Sequence, residues 1–265
     1  MLKANGLEYE EHGQGEPVLL IHGAFISDAL SLVAREAALT ERHRVIWYRR
    51  RGYGGSKPVS GPFNVEEQAA DAQGLLAELG VERAHVVGHS GGGVIATELA
   101  LQAPGLVRSL VELEPAIFPP ALAEAFPQMI GPALDAYRAG NVSAGVDLFM
   151  NMVAPASDWR GDLAKALSKG PEQADADAPV TFDELEGFTS WTFDSDRGSR
   201  LACPVIYGWG TDSGSLIEAA RDHFLSLVPK AESVELPGVN HSMNTENPAL
   251  VAKVVAEFLA RQPAS

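Results

Sequence analysis

Residues 86–93 read VVGHSGGG, and they leave the chain little choice of local structure. The apolar run AHVVGHS (84–90) is followed at once by GGGVIATELALQA (91–103), which has the pattern of a helix. No residues remain for a loop, so a strand must turn directly into a helix. Gly88 and Gly92 stand two residues either side of Ser90, the G-x-S-x-G pattern in which a serine occupies a sharp, strained turn and projects its hydroxyl above a sheet. Without Cβ atoms at 88 and 92, strand and helix can close on that turn. The unpartnered first amides of the helix and the positive end of its dipole then face the hydroxyl and any anion formed beside it.

The rest of the chain repeats the same succession. PVLLIHG (17–23), HRVIWY (43–48), VRSLVELEP (107–115), CPVIYGWG (203–210) and ESVELPG (232–238) read as strands, and their continuous apolar character places them in a sheet covered on both faces. NVEEQAADAQGLLAEL (64–79), LIEAARDHFLSLV (216–228) and NPALVAKVVAEFLA (247–260) read as helices, the last with Pro248 in its first turn behind a capping Asn247. Strand and helix in alternation predict an α/β fold with a mostly parallel sheet. Between 116 and 200 the alternation stops. ALAEAFPQMIGPALDAYRAG (121–140), VSAGVDLFMNMVA (142–154) and WRGDLAKALSKG (159–170) are helical in pattern, and PEQADADAPV (171–180) reads as an exposed loop. The chain therefore divides into an α/β core, residues 1–115 and 201–265, and a helical insertion, residues 116–200.

Composition narrows the function. With 265 residues, 46% of them hydrophobic, the chain can bury a sizeable core. Its 35 acidic against 20 basic residues give a formal charge of −15, which repels phosphate backbones and anionic lipid, so neither nucleic acid nor a membrane is an expected partner. The single cysteine, Cys203, excludes an internal disulfide and reads as a buried apolar residue. The start MLKANGLEYEEHG lacks the pattern of a signal peptide, and no apolar run approaches a membrane span, so a cytoplasmic location is expected. There is no H-E-x-x-H, no paired cysteine and no phosphate-binding glycine loop, so neither a metal nor a cofactor is implied.

The order LLIHGAF, WYRRRGYGGS, VVGHSGGG, CPVIYGWGTDSG, LPGVNHS resembles the α/β-hydrolase superfamily over almost the whole chain. The resemblance implies that fold, with 116–200 as a helical cap over the pocket. It also implies Ser90 as nucleophile and His241, between the last strand and the last helix, as the base that takes its proton, because a serine hydroxyl alone is a weak nucleophile. Of the seven histidines, His22 reads as structural, His89 as pointing away from Ser90, and His12, His43, His85 and His223 as surface or strand-end residues. The oxyanion hole would be the backbone amides of Ala24 and Gly91. Arg49 stands where relatives commonly carry aspartate, a departure that bears on loop packing. Serine at the elbow argues against haloalkane dehalogenases and epoxide hydrolases of this superfamily, which use a carboxylate nucleophile.

The acid of the triad has two candidates. Most relatives place an aspartate in the turn after the strand CPVIYGWG, but an ungapped alignment puts Ser213 there and Asp212 one residue early. Glu114, at the end of the strand after the elbow helix, is the preferred alternative to Asp212, an arrangement similar to that of the zearalenone lactonases. From the insertion, Phe118, Phe126, Met129, Tyr137, Met150, Met152, Trp159, Trp191 and Phe193 supply apolar bulk, with most expected to hold the cap together. Phe25, Met152 and Trp191 are the candidates for substrate contact. The expected activity is hydrolysis of an ester or lactone of a largely apolar small molecule through an acyl-enzyme. A carbon–carbon bond hydrolase, a haloperoxidase-like perhydrolase and a ligand-binding receptor are the alternatives on the same scaffold. The oligomeric state is not legible.

Overall fold

The computed structural model describes residues 1–59, 63–155 and 158–263, apart from the side chain of Glu186. Among them the strands are β1 (Leu2–Ala4), β2 (Leu7–His12), β3 (Glu16–Ile21), β4 (His43–Tyr48), β5 (Ala84–His89), β6 (Val107–Leu113), β7 (Val205–Gly210) and β8 (Glu232–Leu236). They form one sheet in the order β1-β2-β4-β3-β5-β6-β7-β8. β1 pairs antiparallel with β2 and β2 with β4, and every other neighbouring pair is parallel. The order reverses between β3 and β5, and the crevice beyond the carboxyl ends of strands at such a switch point is where open α/β sheets bind ligands.

The β1–β2 hairpin was not among the expected strands, although its signal is in the sequence. Asn5 and Gly6 form a two-residue turn with φ of 50° and 73°, the left-handed pair that Asn-Gly supplies to a tight hairpin. The strand segments around it are three and six residues long and partly exposed, so they lack the long apolar runs of the inner strands.

Helices cover both faces. α1 (Ala29–Ala34), α2 (Ala37–Thr40) and α13 (Pro248–Leu259) pack on one side through Leu30, Val33, Leu39, Val251, Val255 and Phe258. On the other side lie α3 (Val65–Glu78), α4 (Gly91–Gln102) and α11 (Ser215–Leu227), contributing Val65, Leu75, Val94, Leu99 and Phe224. The short α12 (Met243–Glu246) precedes α13.

Among the described residues, six helices lie between β6 and β7: α5 (Pro120–Met129), α6 (Gly131–Arg138), α7 (Val142–Val153), α8 (Trp159–Ala166), α9 (Gly170–Phe188) and α10 (Ser195–Ser199). One expectation is corrected here. Residues 171–180 are not an exposed loop but the first half of α9, which runs on through Pro179. Ala174, Ala178, Phe182 and Leu185 recur at helical spacing and are buried in the core of the insertion. A second stripe, Asp177, Thr181 and Glu184, is buried and turned to the α/β core. Asp177 accepts from the Ser27 amide (3.3 Å), and Thr181 Oγ1 from the Phe25 amide (3.1 Å). Glu184 pairs with the buried Arg50 and accepts from Gln68 Nε2 (3.0 Å) and the Tyr53 hydroxyl (2.6 Å). The acidic residues that suggest solvent are the ones that fasten this helix down.

Burial pushes the Asp177 carboxyl up to about 6 from 3.8, with hydrogen bonds from Ser27 and Gln173 opposing the shift. Folding thus favours its protonated form, so its contribution to stability is complete below about pH 4 and is lost as pH rises through about 6. Asp177→Asn is expected to raise stability at pH 7.5, by at most about 3 kcal/mol, with the gain shrinking towards pH 4. Thermal unfolding at the two pH values measures this, and a variant destabilised at both would contradict it.

Candidate active site

β5 passes into α4 with Ser90 at φ 54° and ψ −122°, a left-handed conformation that costs a non-glycine residue strain. Its neighbours explain why the turn is glycine-rich. A Cβ at Gly88 would stand 2.5 Å from the Gly92 carbonyl oxygen, and one at Gly92 would overlap the Ile21 carbonyl at the end of β3. The Ser90 amide donates to Leu113 O (3.0 Å), so the strained residue is held from β6 as well.

His241 lies in the turn between β8 and α12. Its Nε2 is 3.1 Å from Ser90 Oγ and its Nδ1 is 2.7 Å from Glu114 Oε2. Glu114 is fully buried and begins the turn after β6 with φ 46°. Its other oxygen, Oε1, accepts from the Gly210 amide (2.7 Å) and from Ser213 Oγ (2.5 Å). A carboxylate on Nδ1 makes that nitrogen the donor and leaves Nε2 free to accept the serine proton. The three side chains therefore form an unbroken hydrogen-bonded chain from serine through imidazole to carboxylate.

Asp212 does not enter it. The residue is exposed, and its carboxylate accepts from Thr211 Oγ1 (3.1 Å), while its amide ties the turn to Val239 O (3.0 Å). The buried position in this turn is the next one, Ser213, which donates to Glu114.

Ala24 and Gly91 both line the cavity above Ser90. Gly91 is the first residue of α4, where an amide has no intrahelical acceptor. The loop carrying Ala24 is fixed from below. His22 Nε2 accepts from the Arg50 amide (3.1 Å), which leaves Nδ1 to donate to Gly23 O (2.8 Å), and Arg50 Nη2 donates to the same carbonyl (2.9 Å). Burial, reinforced by Arg50, holds His22 well below the usual imidazole range, so it stays neutral. Arg49, in the place of the common aspartate, is gripped by Asp28 (2.7 Å) and Glu8 (2.9 Å).

His89 makes a contact that its sequence position does not suggest: its ring lies 4.8 Å from that of His241 and its Nε2 donates to His241 O (2.9 Å). Burial, with His241 adding to it, pushes its pKa down to about 3, so it is a neutral donor holding the His241 backbone. His43 opens β4 and His85 stands second in β5, strand-end positions as expected, and both are buried.

The cavity over Ser90 and His241 has a volume of about 540 Å³ and a mainly apolar wall that includes Ile117, Phe118, Phe126, Leu185, Phe188 and Trp191. Neither lysine nor arginine is among the described residues that line it. Of the expected substrate contacts, Trp191 lines it, and its Nε1 donates to Glu98 (2.8 Å). Phe25 and Met152 do not. Phe25 is buried edge-on against Phe149 and Phe182, and Met152 packs with the same cluster, because both sit where α7 and α9 meet the core. Tyr137 and Trp159 also belong to that cluster, while Phe118, Phe126 and Phe193 face the cavity. Phe188, Glu184 and Ser213 were not foreseen. Only the helical spacing in α9 could have signalled the first two.

A strained serine at the strand-to-helix switch, beneath a helical insertion and beside a sheet of this order, defines the α/β-hydrolase class of fold. The chain belongs to the Alpha/beta hydrolase family, whose sequence profile matches residues 18–254. It is 46% identical over 104 residues to a putative carbamate hydrolase RutD of Azorhizobium caulinodans, a match spanning only 39% of either chain. A 2-(acetamidomethylene)succinate hydrolase of Mesorhizobium japonicum is 28% identical over 270 residues, covering 96% of this chain and 91% of its own. Among solved structures, the enol-lactonase of Burkholderia xenovorans LB400 superposes with a TM-score of 0.81 at 21% identity, over 97% of this chain and 98% of that one. At such identity the superposition speaks for the fold alone.

Proposed function

We propose that the chain hydrolyses a carboxylic ester or lactone of an uncharged, largely apolar small molecule. Ser90 is the nucleophile, His241 the general base and then acid, Glu114 the acid that orients the imidazole, and the amides of Ala24 and Gly91 the oxyanion donors. The observation that carries this is the unbroken run of contacts from Ser90 through His241 to Glu114, opening on an apolar cavity. Each oxyanion donor in such a site typically contributes about 3 kcal/mol to the transition state.

The names of relatives set the competing substrate classes. A hydrolase of a substituted succinate must accommodate carboxylates, and burying one without a cationic or hydrogen-bonding partner is costly. Among the described residues the cavity wall has no lysine or arginine and includes Glu124 and Asp194, which supports a substrate without carboxylates. The test is a panel of neutral p-nitrophenyl esters and lactones of graded acyl size, run beside an ester of the same size that carries a carboxylate. Turnover of the neutral members with labelling of Ser90 by a fluorophosphonate is the expected result. Binding with neither turnover nor labelling would replace hydrolysis with a receptor role, and preference for the carboxylate would overturn the substrate class.

A further inference from the structure

A second, smaller cavity of about 40 Å³ also touches Ser90 and His241. It shares Ala24, Phe149 and Val153 with the larger one, so an acyl group held in the large cavity leaves the small one beside the reacting carbon. Most of its wall is apolar, including Ile26, Leu30 and Met150, but Ser242 and Asn244 belong to it too. Asn244 is 1% exposed, and neither its Nδ2 nor its Oδ1 has a hydrogen-bond partner among the described residues. Ser242 Oγ is buried and without a partner in the same way. Buried polar atoms are nearly always satisfied, by protein or by ordered water, so three of them around one niche ask for an occupant. Water fits: about 10–15 Å³ of such space already holds one molecule, and a buried water makes about three hydrogen bonds.

On the hydrolase reading above, we propose that this niche seats the water that deacylates the enzyme, with Asn244 and Ser242 as its positioning residues. The water oxygen bonds to the acyl carbon of the Ser90 ester while His241 Nε2 takes one of its protons. The tetrahedral oxyanion then collapses, the bond from carbon to Ser90 Oγ breaks, and His241 returns the proton to that oxygen. The free acid leaves, carrying the water's oxygen and its remaining proton, which ionises in solution. Asn244 touches none of the reacting atoms of the substrate. Its work is to hold the nucleophile in line, and misplacing a reacting group by an ångström can cost on the order of 10² in rate.

The test separates acylation from deacylation. With p-nitrophenyl butyrate, Asn244→Leu fills the niche with apolar bulk, so the burst of nitrophenolate is retained. The steady-state kcat falls by about 10- to 100-fold. Because only the second step slows, KM falls with kcat and kcat/KM stays near the parent value. Asn244→Ser, which keeps a hydrogen-bonding group at the niche, recovers most of the kcat that the leucine variant loses. Ser242→Ala shows the same split in smaller measure and serves if the leucine variant does not fold. An unchanged kcat in folded Asn244→Leu, or a loss of kcat/KM equal to the loss of kcat, overturns the assignment. A parent protein that no ester acylates sinks the hydrolase reading and this proposal with it, an outcome distinct from acylation with unaltered deacylation.

Discussion

Ser90→Ala is expected to fold as the parent does and to lose about 10⁶ in kcat on any ester the parent turns over. The fold should survive because the elbow is held by contacts the substitution spares. The Ser90 amide still donates to Leu113 O, Ser90 O still accepts from Ala116 N (3.1 Å), and the glycines at 88 and 92 keep strand and helix in register. Alanine meets the same strain at φ 54° that serine does, so the backbone term barely changes. What goes is the oxygen that forms the acyl-enzyme. A water placed by His241 could attack directly, which is why some residual rate over solution is expected from the oxyanion donors and binding alone. Turnover within tenfold of the parent, by a variant with parental thermal unfolding, would remove Ser90 from the mechanism.

The parts of the fold legible in sequence are those with strong local signals. The inner strands announce themselves because both faces of the sheet are covered. β4 runs over His43–Tyr48 as expected, and β5 and β6 end within two residues of their expected limits. The elbow is legible because only a glycine-flanked serine fits between β5 and α4. Less legible were elements whose burial is tertiary in origin. α9 carries Asp177 and Glu184 inward because Ser27 and Arg50 await them, and nothing near 171–180 in sequence reveals those partners. Phe25 reads as a pocket residue from its place beside Ala24, but its positive φ of 58° and the Thr181 contact turn it into the junction of α7 and α9. Ser213 stands at the usual acid position in the alignment, with no carboxylate to offer. Its hydroxyl instead supports a carboxylate 99 positions away in the chain, a relation that no local pattern encodes.

The choice between Glu114 and Asp212 gives the second large effect, and the hydrogen bonds around Glu114 say how it should arise. Glu114 Oε1 accepts from Gly210 N–H and Ser213 O–H, and the amide of Gly210 can only donate. In Glu114→Gln the side-chain oxygen therefore stays on that side, and the new NH₂ group takes the place of Oε2, facing His241 Nδ1. A donor there forces Nδ1 to accept, so the imidazole proton moves to Nε2. That nitrogen can then no longer take the proton of Ser90, 3.1 Å away. The same loss of the correct tautomer in a serine triad costs about 10⁴ in kcat, and the fall here is expected to be of that order, with substrate binding largely retained. Asp212→Asn changes an exposed carboxylate whose partner is Thr211, so its activity should stay close to the parent's. Measuring kcat and KM for both variants on one neutral ester decides the matter. If Glu114→Gln keeps most of its activity while Asp212→Asn loses it, the imidazole is oriented from the turn after β7, and the contact between Glu114 and His241 has no part in catalysis.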